Sequence, residues 1–271
     1  MAISDYYDGL DQLPEGNLKI SPSSFADFFE STNKWYREHL LGEDGFSGCT
    51  ATERGTVIHA YLEKVMKGED VENFDEEELE PFLEELGMEI DKNHIRSTYR
   101  TLANLLASNC IEGHNPPENT EQFIHTEIIP GISAGGTYDY LRYNMYRQLM
   151  VGDWKSASSK PKALSKKYQW QLLIYCYILR KNGIMVDGYE VNFAIDPTKT
   201  LPARHFQFAK IIQQSDMDFI ESLLILVAHS MKAFKQHPTL RFLLAQDYRL
   251  YEGPLRLEPE VAQQVLTAED I

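Results

Sequence analysis

Residues 136–155 constrain the fold more than any other stretch of the chain. Two runs of strand-like composition, 136–143 and 148–155, flank a short turn at 144–147. Two such runs about a short connection read as an antiparallel hairpin. If the turn is centred at residue 146, Asp139 lies opposite Asp153. Cross-strand neighbours hold their Cβ atoms roughly 5 Å apart, and like charges at that spacing destabilise a sheet. A cation between the two carboxylates removes the conflict, and all-oxygen ligands favour Mg²⁺ or Mn²⁺. The strand period of two puts Lys155 on the face of Asp153 and turns Trp154 the other way. An ammonium beside a bound cation can stabilise charge developing on a phosphate, while the cation makes a bound water nucleophilic. Taken alone, a D-x-K triplet also suits ordinary hairpin charges facing water.

The flanking segments add candidates to the same site. Residues 166–181 have helical spacing, and Gln171 and Tyr175, four apart, share one face of that helix. Upstream, a helix over 52–67 would bury Val57, Ile58, Tyr61, Leu62, Val65 and Met66 and present His59 beside that stripe. Imidazole is an acceptable Mn²⁺ ligand, although a lone helical histidine is as readily a structural residue. Further elements are a helix beginning at Ser21-Pro22 and carrying Phe25, Phe28, Phe29 and Trp35, and another helix at 89–107. Strands are expected at 122–129, 188–195 and 204–208, with a long amphipathic helix at 215–235. Helices, three consecutive strands, a helix and a strand make an α/β chain with a mixed sheet and helices packed on it.

In order along the chain, ISPSSFADFFESTNKWYREHLLG, RGTVIHAYLE, GGTYDYL, VGDWKSAS and QWQLLIY resemble the PD-(D/E)XK nuclease superfamily, in its RecB-like exonuclease branch. Each piece is weak alone; five in order over about residues 20–195 make a specific signal. The resemblance implies a restriction-endonuclease-like αβββαβ core with additional N-terminal helices. It implies one domain over 1–271, with a motif core at about 50–195, a helical insertion at about 68–118 and a C-terminal extension at about 200–271. His59, Asp139 and Asp153 become metal ligands, with the Trp154 carbonyl as another, for Mg²⁺ or Mn²⁺. Lys155 becomes the catalytic lysine, and Gln171 with Tyr175 the QxxxY pair that orients the site or the DNA backbone. Glu127, on the preceding strand, is implied as a catalytic assistant. Many members of this branch hold an iron–sulfur cluster on four cysteines. Here Thr32 and Asn33 stand where the first cysteine falls and none follows the QxxxY helix, so no iron–sulfur cluster is expected.

The formal net charge of −15 argues against a phosphate-binding surface until its distribution is read. Residues 69–85 hold ten acids and no base, whereas 154–181 hold seven bases and no acid. Lys160, Lys162, Lys166 and Lys167, in that basic run, are the candidates for DNA contact. Cys49, Cys110 and Cys176 form no CxxC pair, residues 1–16 are acidic without an apolar centre, and the apolar run 223–228 is too short to span a bilayer. The expectation is a cytoplasmic protein, without membrane contact, that acts on DNA alongside a recombination or replication protein. Three activities remain open on these residues: an exonuclease of single strands or duplex ends, an endonuclease of the same fold, and a non-catalytic acidic interaction protein that keeps the fold.

Overall fold

The computed structural model describes residues 12–42, 50–68, 100–110 and 119–240. In chain order these form β1 (Leu18–Ile20), α1 (Phe25–Glu30), α2 (Thr32–Leu40), α3 (Thr50–Met66), α4 (Arg100–Cys110), β2 (Thr120–Ile129), β3 (Ile132–Tyr143), β4 (Leu149–Ala157), α5 (Lys166–Lys181), β5 (Gly188–Ile195), β6 (Arg204–Ile211) and α6 (Gln214–Gln236). From α3 to β5 the order contains the expected αβββαβ core, in a six-stranded mixed sheet flanked by helices. The expected helix over 89–107 appears as α4, which starts at Arg100, and positions 89–99 lie outside the described residues.

The two faces of the sheet are covered by different helices, and the period of two assigns each strand residue to one of them. Val151, Val191, Phe193 and Ile195 pack into a core with α5 and α6, to which Leu172, Ile174, Ile178, Leu224 and Val227 contribute. Tyr140, Trp154 and Ala194 face the other way, onto Ile58, Tyr61, Leu62 and Met66 of α3 and Leu102 and Leu106 of α4. Tyr140 and Trp154 stack at 4.9 Å. Gly152 makes room for them: a Cβ there would sit 1.8 Å from Tyr140 Cζ.

The hairpin has the register read from the sequence. Tyr140 faces Gly152 and Leu141 faces Val151, so one step further brings Asp139 level with Asp153. Asn144 closes the turn, its Oδ1 accepting hydrogen bonds from Tyr146 N at 2.9 Å and Gln148 N at 3.0 Å. Arg147 takes the left-handed conformation there, at φ 59°.

The N-terminal expectation needs correction. The chain does not enter a helix at Ser21-Pro22. Residues 22–24 form a turn, and α1 begins at Phe25 with Ser24 as its N-cap. The apolar run is also divided. Ser31 leaves the helical region, at φ −155° and ψ 76°, and Thr32 Oγ1 donates to Phe28 O at 2.8 Å, so α1 ends and α2 starts anew. Upstream of the turn, β1 pairs parallel with β3 through Leu18–Ile132 to Ile20–Ala134, a strand that local periodicity did not mark.

That strand shapes the site. Ser133 pairs with both Lys19 and Glu127, and Tyr140 with both Thr120 and Gly152. Hence β2 runs along one edge of β3, while β1 and β4 share the other. They meet β3 at 132–134 and 140–143 respectively, and residues 135–139 lie between them.

Candidate active site

The gap between β1 and β4 opens into a cleft of about 360 Å³. Its walls come from β3 (Gly136, Thr137, Asp139), β4 (Asp153, Lys155), α3 (His59), α5 (Lys167, Tyr168, Gln171, Tyr175) and the turn after β1 (Ser21, Ser23). Backbone groups freed by the gap are satisfied by side chains, as buried polar groups must be. Tyr175 Oη donates to Thr137 O at 2.7 Å. Gly136 permits that approach, since a Cβ at this position would lie 2.9 Å from the same hydroxyl and 3.0 Å from Pro22 Cδ. Beyond the last ladder pair, Trp154 N donates to Asp139 Oδ2 at 2.6 Å, and Trp154 O lies 3.0 Å from His59 Nε2.

Lys155 Nζ donates to Asp153 Oδ1 at 2.7 Å, and Gln171 Nε2 donates to the same oxygen at 3.2 Å. Asp153 Oδ2 is buried with no hydrogen-bond donor. Asp153 is only 3% exposed. Burial raises its carboxyl to about 6; Lys155 opposes the rise and Asp139 adds to it. Burial also raises Asp139, against the pull of His59. Lys155 is held charged: burial works against its ammonium, but Asp153 and Asp139 outweigh it and raise its pKa. His59 behaves alike. Burial lowers the imidazole, while Asp139 and the nearby Glu121 carboxylate carry it up to about 9.

Glu121 was not among the residues singled out from the sequence. Its Oε1 lies 3.7 Å from His59 Nδ1, and Asp139 Oδ2 lies 3.8 Å from the same nitrogen. One ligand atom from each of His59, Glu121 and Asp139 falls within 4.8 Å of the others. Register explains the placement. Thr120 pairs with Tyr140 and Gln122 with Tyr138, so Glu121 sits level with Asp139 as Asp153 does on the opposite edge. Three carboxylates thus stand abreast on three neighbouring strands. The available signal was the arithmetic already used for the hairpin, repeated about a β2–β3 turn at residues 130–131. Glu121 also has φ 48°, an uncommon conformation for a side-chain-bearing residue and one that concentrates at functional sites.

Of the residues proposed from sequence, His59, Asp139, Asp153, Trp154, Lys155, Gln171 and Tyr175 come together here. Glu127 does not. It is exposed near the far end of β2, where its Oε1 accepts from Gly131 N at 3.2 Å and closes the β2–β3 turn. Glu127 stands six residues from Glu121, an even spacing that the period of two alone does not separate, and the register sets it level with Ser133 rather than Asp139. Lys167 lines the cleft but is ion-paired with Asp27 at 2.9 Å. Lys160 and Lys162 are exposed on the crossover between β4 and α5, and Lys166 is exposed at the start of α5. Ser21, Ser23 and Tyr168 join the lining without having been proposed.

The donor set suits a hard divalent cation. Two buried carboxylate oxygens, Glu121 Oε1 and Asp153 Oδ2, have no hydrogen-bond donor, and an imidazole lies beside three carboxylates. Oxygen-rich sites with one imidazole accept Mg²⁺ or Mn²⁺, and unpaired buried carboxylates are costly without a counter-charge.

Comparison with known proteins agrees with this geometry. No curated protein matches the sequence. Among solved structures, one from Eubacterium rectale, provisionally named an exonuclease, shares 12% identity at a TM-score of 0.55, covering 87% of this chain and 86% of its own. SSO0001 shares 14% identity at a TM-score of 0.45, covering 82% of each chain. The alkaline exonuclease LHK-Exo from Laribacter hongkongensis shares 13% at 0.35, covering 83% of this chain and 93% of its own. The family model of the PD-(D/E)XK nuclease superfamily matches residues 19–247. With that match spanning most of its length, and with acids and a lysine gathered on neighbouring strands beside the QxxxY helix, the chain belongs to the PD-(D/E)XK nuclease superfamily.

Proposed function

We propose that the protein is a Mg²⁺- or Mn²⁺-dependent DNA exonuclease that hydrolyses phosphodiester bonds of single-stranded DNA or duplex ends. The observation that carries this reading is the row Glu121–Asp139–Asp153 with His59 beside it and the Lys155 ammonium 2.7 Å from Asp153 Oδ1. A cation held by His59, Glu121, Asp139 and Asp153 would lower the pKa of a coordinated water and offset phosphate charge. Lys155, kept protonated by the two aspartates, places positive charge where a phosphorane develops negative charge. Gln171 holds the Asp153 carboxylate from the helix side, and Tyr175 fastens Thr137 two residues before Asp139. These contacts keep the site on rigid elements. The Trp154 carbonyl, expected as a ligand, lies 3.0 Å from His59 Nε2, while His59 Nδ1 is the nitrogen that faces Glu121 and Asp139.

In this reading the protein works in the cytoplasm on DNA in recombination, repair or degradation, alongside a recombination or replication protein. Among the described residues no helix is long and apolar enough to cross a membrane.

The test uses end-labelled linear single-stranded DNA and circular single-stranded DNA with Mg²⁺, Mn²⁺ or EDTA. The linear strand should be degraded from an end, the circle should persist, and EDTA should abolish the reaction. Cleavage of the circle would make the protein an endonuclease. Activity that survives EDTA, or persists in Asp153→Ala, would overturn the assignment.

A further inference from the structure

The sheet face that carries Asp153 and Lys155 continues towards β6 as a series of aromatic rings. Strand pairing sets Phe193 beside Lys155 and Phe206 beside Phe193; in the row of Asp153 it sets Val191 and then Phe208. Tyr168, on the wall of the cleft, meets Phe193 edge-on at 6.4 Å. Phe193 meets Phe208 at 6.1 Å, and Phe208 meets Phe206 at 4.9 Å. Phe193 is buried, whereas Tyr168, Phe206 and Phe208 are each partly exposed. The rings therefore lead from the cleft to an accessible margin.

Above that margin runs the crossover from β4 to α5. Lys160, which is exposed, places its Nζ 3.8 Å from the centroid of the Phe206 ring. An ammonium on a four-carbon stem is a cover that can be moved, and a cation over a ring at an exposed site contributes little. Lys162 is exposed on the same crossover and Lys166 at the first position of α5, and residues 154–181 contain no acid. Partly exposed rings beside cations, continuous with a phosphodiester-cleaving centre, match what unpaired nucleotides present. Each base offers a flat face that stacks on an aromatic ring, and each phosphate offers a negative charge within reach of a lysine. A duplex keeps those faces stacked inside itself and can use only the lysines.

We infer that the Phe206 margin, with Lys160, Lys162 and Lys166 above it, binds the bases and phosphates of a single strand running between the cleft and the β6 edge. A base takes the position of the Lys160 ammonium over Phe206, and that ammonium moves to the neighbouring phosphate. The inference rests on the nuclease reading and narrows it to single-stranded substrate on this flank of the cleft.

The experiment measures fluorescence anisotropy of a labelled twelve-nucleotide oligothymidylate and of a blunt duplex of equal length, with Ca²⁺ in place of a catalytic metal. Phe206→Ala should weaken single-strand binding by about five- to 150-fold, the effect of removing one stacking ring. The blunt duplex should lose less than twofold. Phe206→Tyr keeps the ring and should restore affinity, and a thermal melt of each variant separates loss of binding from loss of fold. Lys160→Ala should reduce the slope of log affinity against log salt by about 0.7 for the single strand. Unchanged single-strand affinity in Phe206→Ala, or an equal loss on both DNAs, would overturn the inference. Hydrolysis of the strand by the unmodified protein in Mg²⁺ or Mn²⁺ tests the nuclease reading separately, so either can fail without the other.

Discussion

Adding one methyl group at Gly152 should disturb both the fold and the metal site, because of what its neighbour Tyr140 holds. A Cβ at 152 would lie 1.8 Å from Tyr140 Cζ and 2.3 Å from both Cε2 and Oη. Ordinary carbon contacts begin near 3.4 Å, so the ring has to move by more than an ångström. It has nowhere easy to go. The ring is fully buried and stacked on Trp154 at 4.9 Å and 24°. Its hydroxyl donates to Glu190 Oε1 at 2.6 Å, and Asn192 donates to that hydroxyl. Glu190 is itself 1% exposed and pinned by Arg142 at 2.6 and 3.0 Å. Overpacking in such a place costs about 1–3 kcal/mol. Losing the hydrogen bond to a buried carboxylate costs a further 1.5–3 kcal/mol or so. Removing a glycine from the unfolded chain returns about 0.4–1 kcal/mol. The balance is a destabilisation of about 2–5 kcal/mol, or roughly 4–20 °C in Tm for a chain of this size. Guanidinium denaturation of Gly152→Ala, Tyr140→Ala and the double variant measures it. In the double variant the clash is gone, so most of the cost of Gly152→Ala should vanish. The same variant should bind Mn²⁺ at least tenfold more weakly by calorimetry, since a displaced Trp154 ring carries with it the peptide that faces Asp139 and His59. A Gly152→Ala protein within 0.5 kcal/mol of the parent, or an equal cost without the Tyr140 ring, would refute the steric account.

Other perturbations separate the roles of the site residues. Lys155→Ala should lower kcat on DNA by about 100- to 1,000-fold while Mn²⁺ still binds; calorimetry beside a cleavage assay checks the pair, and a variant that loses metal and activity together would make Lys155 structural. Glu121→Gln should weaken Mn²⁺ at least tenfold although the sequence motifs do not include it, whereas Glu127→Gln should leave Mn²⁺ affinity within twofold. Proton and cation compete for His59, whose imidazole stands at about 9, and for Asp153, whose carboxyl stands at about 6. Each ligand must be deprotonated to bind, so Mn²⁺ affinity should rise by about tenfold per pH unit from 6 to 9, more steeply below 6, and level off above 9. Calorimetry in buffers of different ionisation enthalpy counts the released proton directly, and a flat profile from 6 to 9 would contradict the charge assigned to His59.

The parts of this molecule that were legible in the sequence are those set by short-range geometry. The turn at 144–147 fixes which residues of two adjacent strands meet, so Asp139 and Asp153 could be matched, and the period of two then separated Lys155 from Trp154. Helix α5 was readable to the residue, because Ser165 caps it by accepting from Tyr168 N at 3.3 Å and its apolar positions recur at helical spacing. Glu121 was accessible to the same reasoning but was lost behind a bulge: β2 shifts register between Glu127 and Ile129, which blurs the turn from which its partner would be counted. Glu127 entered through the family resemblance, and its carboxylate accepts from Gly131 N at the β2–β3 turn rather than lining the cleft. The turn at Ser21–Ser23 was read as a helix start because Ser-Pro-Ser-Ser is an ordinary capping sequence. Its actual place depends on β1 joining β3 across more than a hundred residues, and three residues, Leu18–Ile20, are too few to show a period. That long-range pairing has the largest consequence for function. By occupying only 132–134 of the edge that β4 takes up again at 140, β1 leaves a five-residue gap in an otherwise continuous ladder. Backbone groups in such a gap demand side-chain partners, and Tyr175 and Asp139 supply them. The gap and the carboxylates belong together: a fully paired edge would place a backbone strand where the phosphate has to enter.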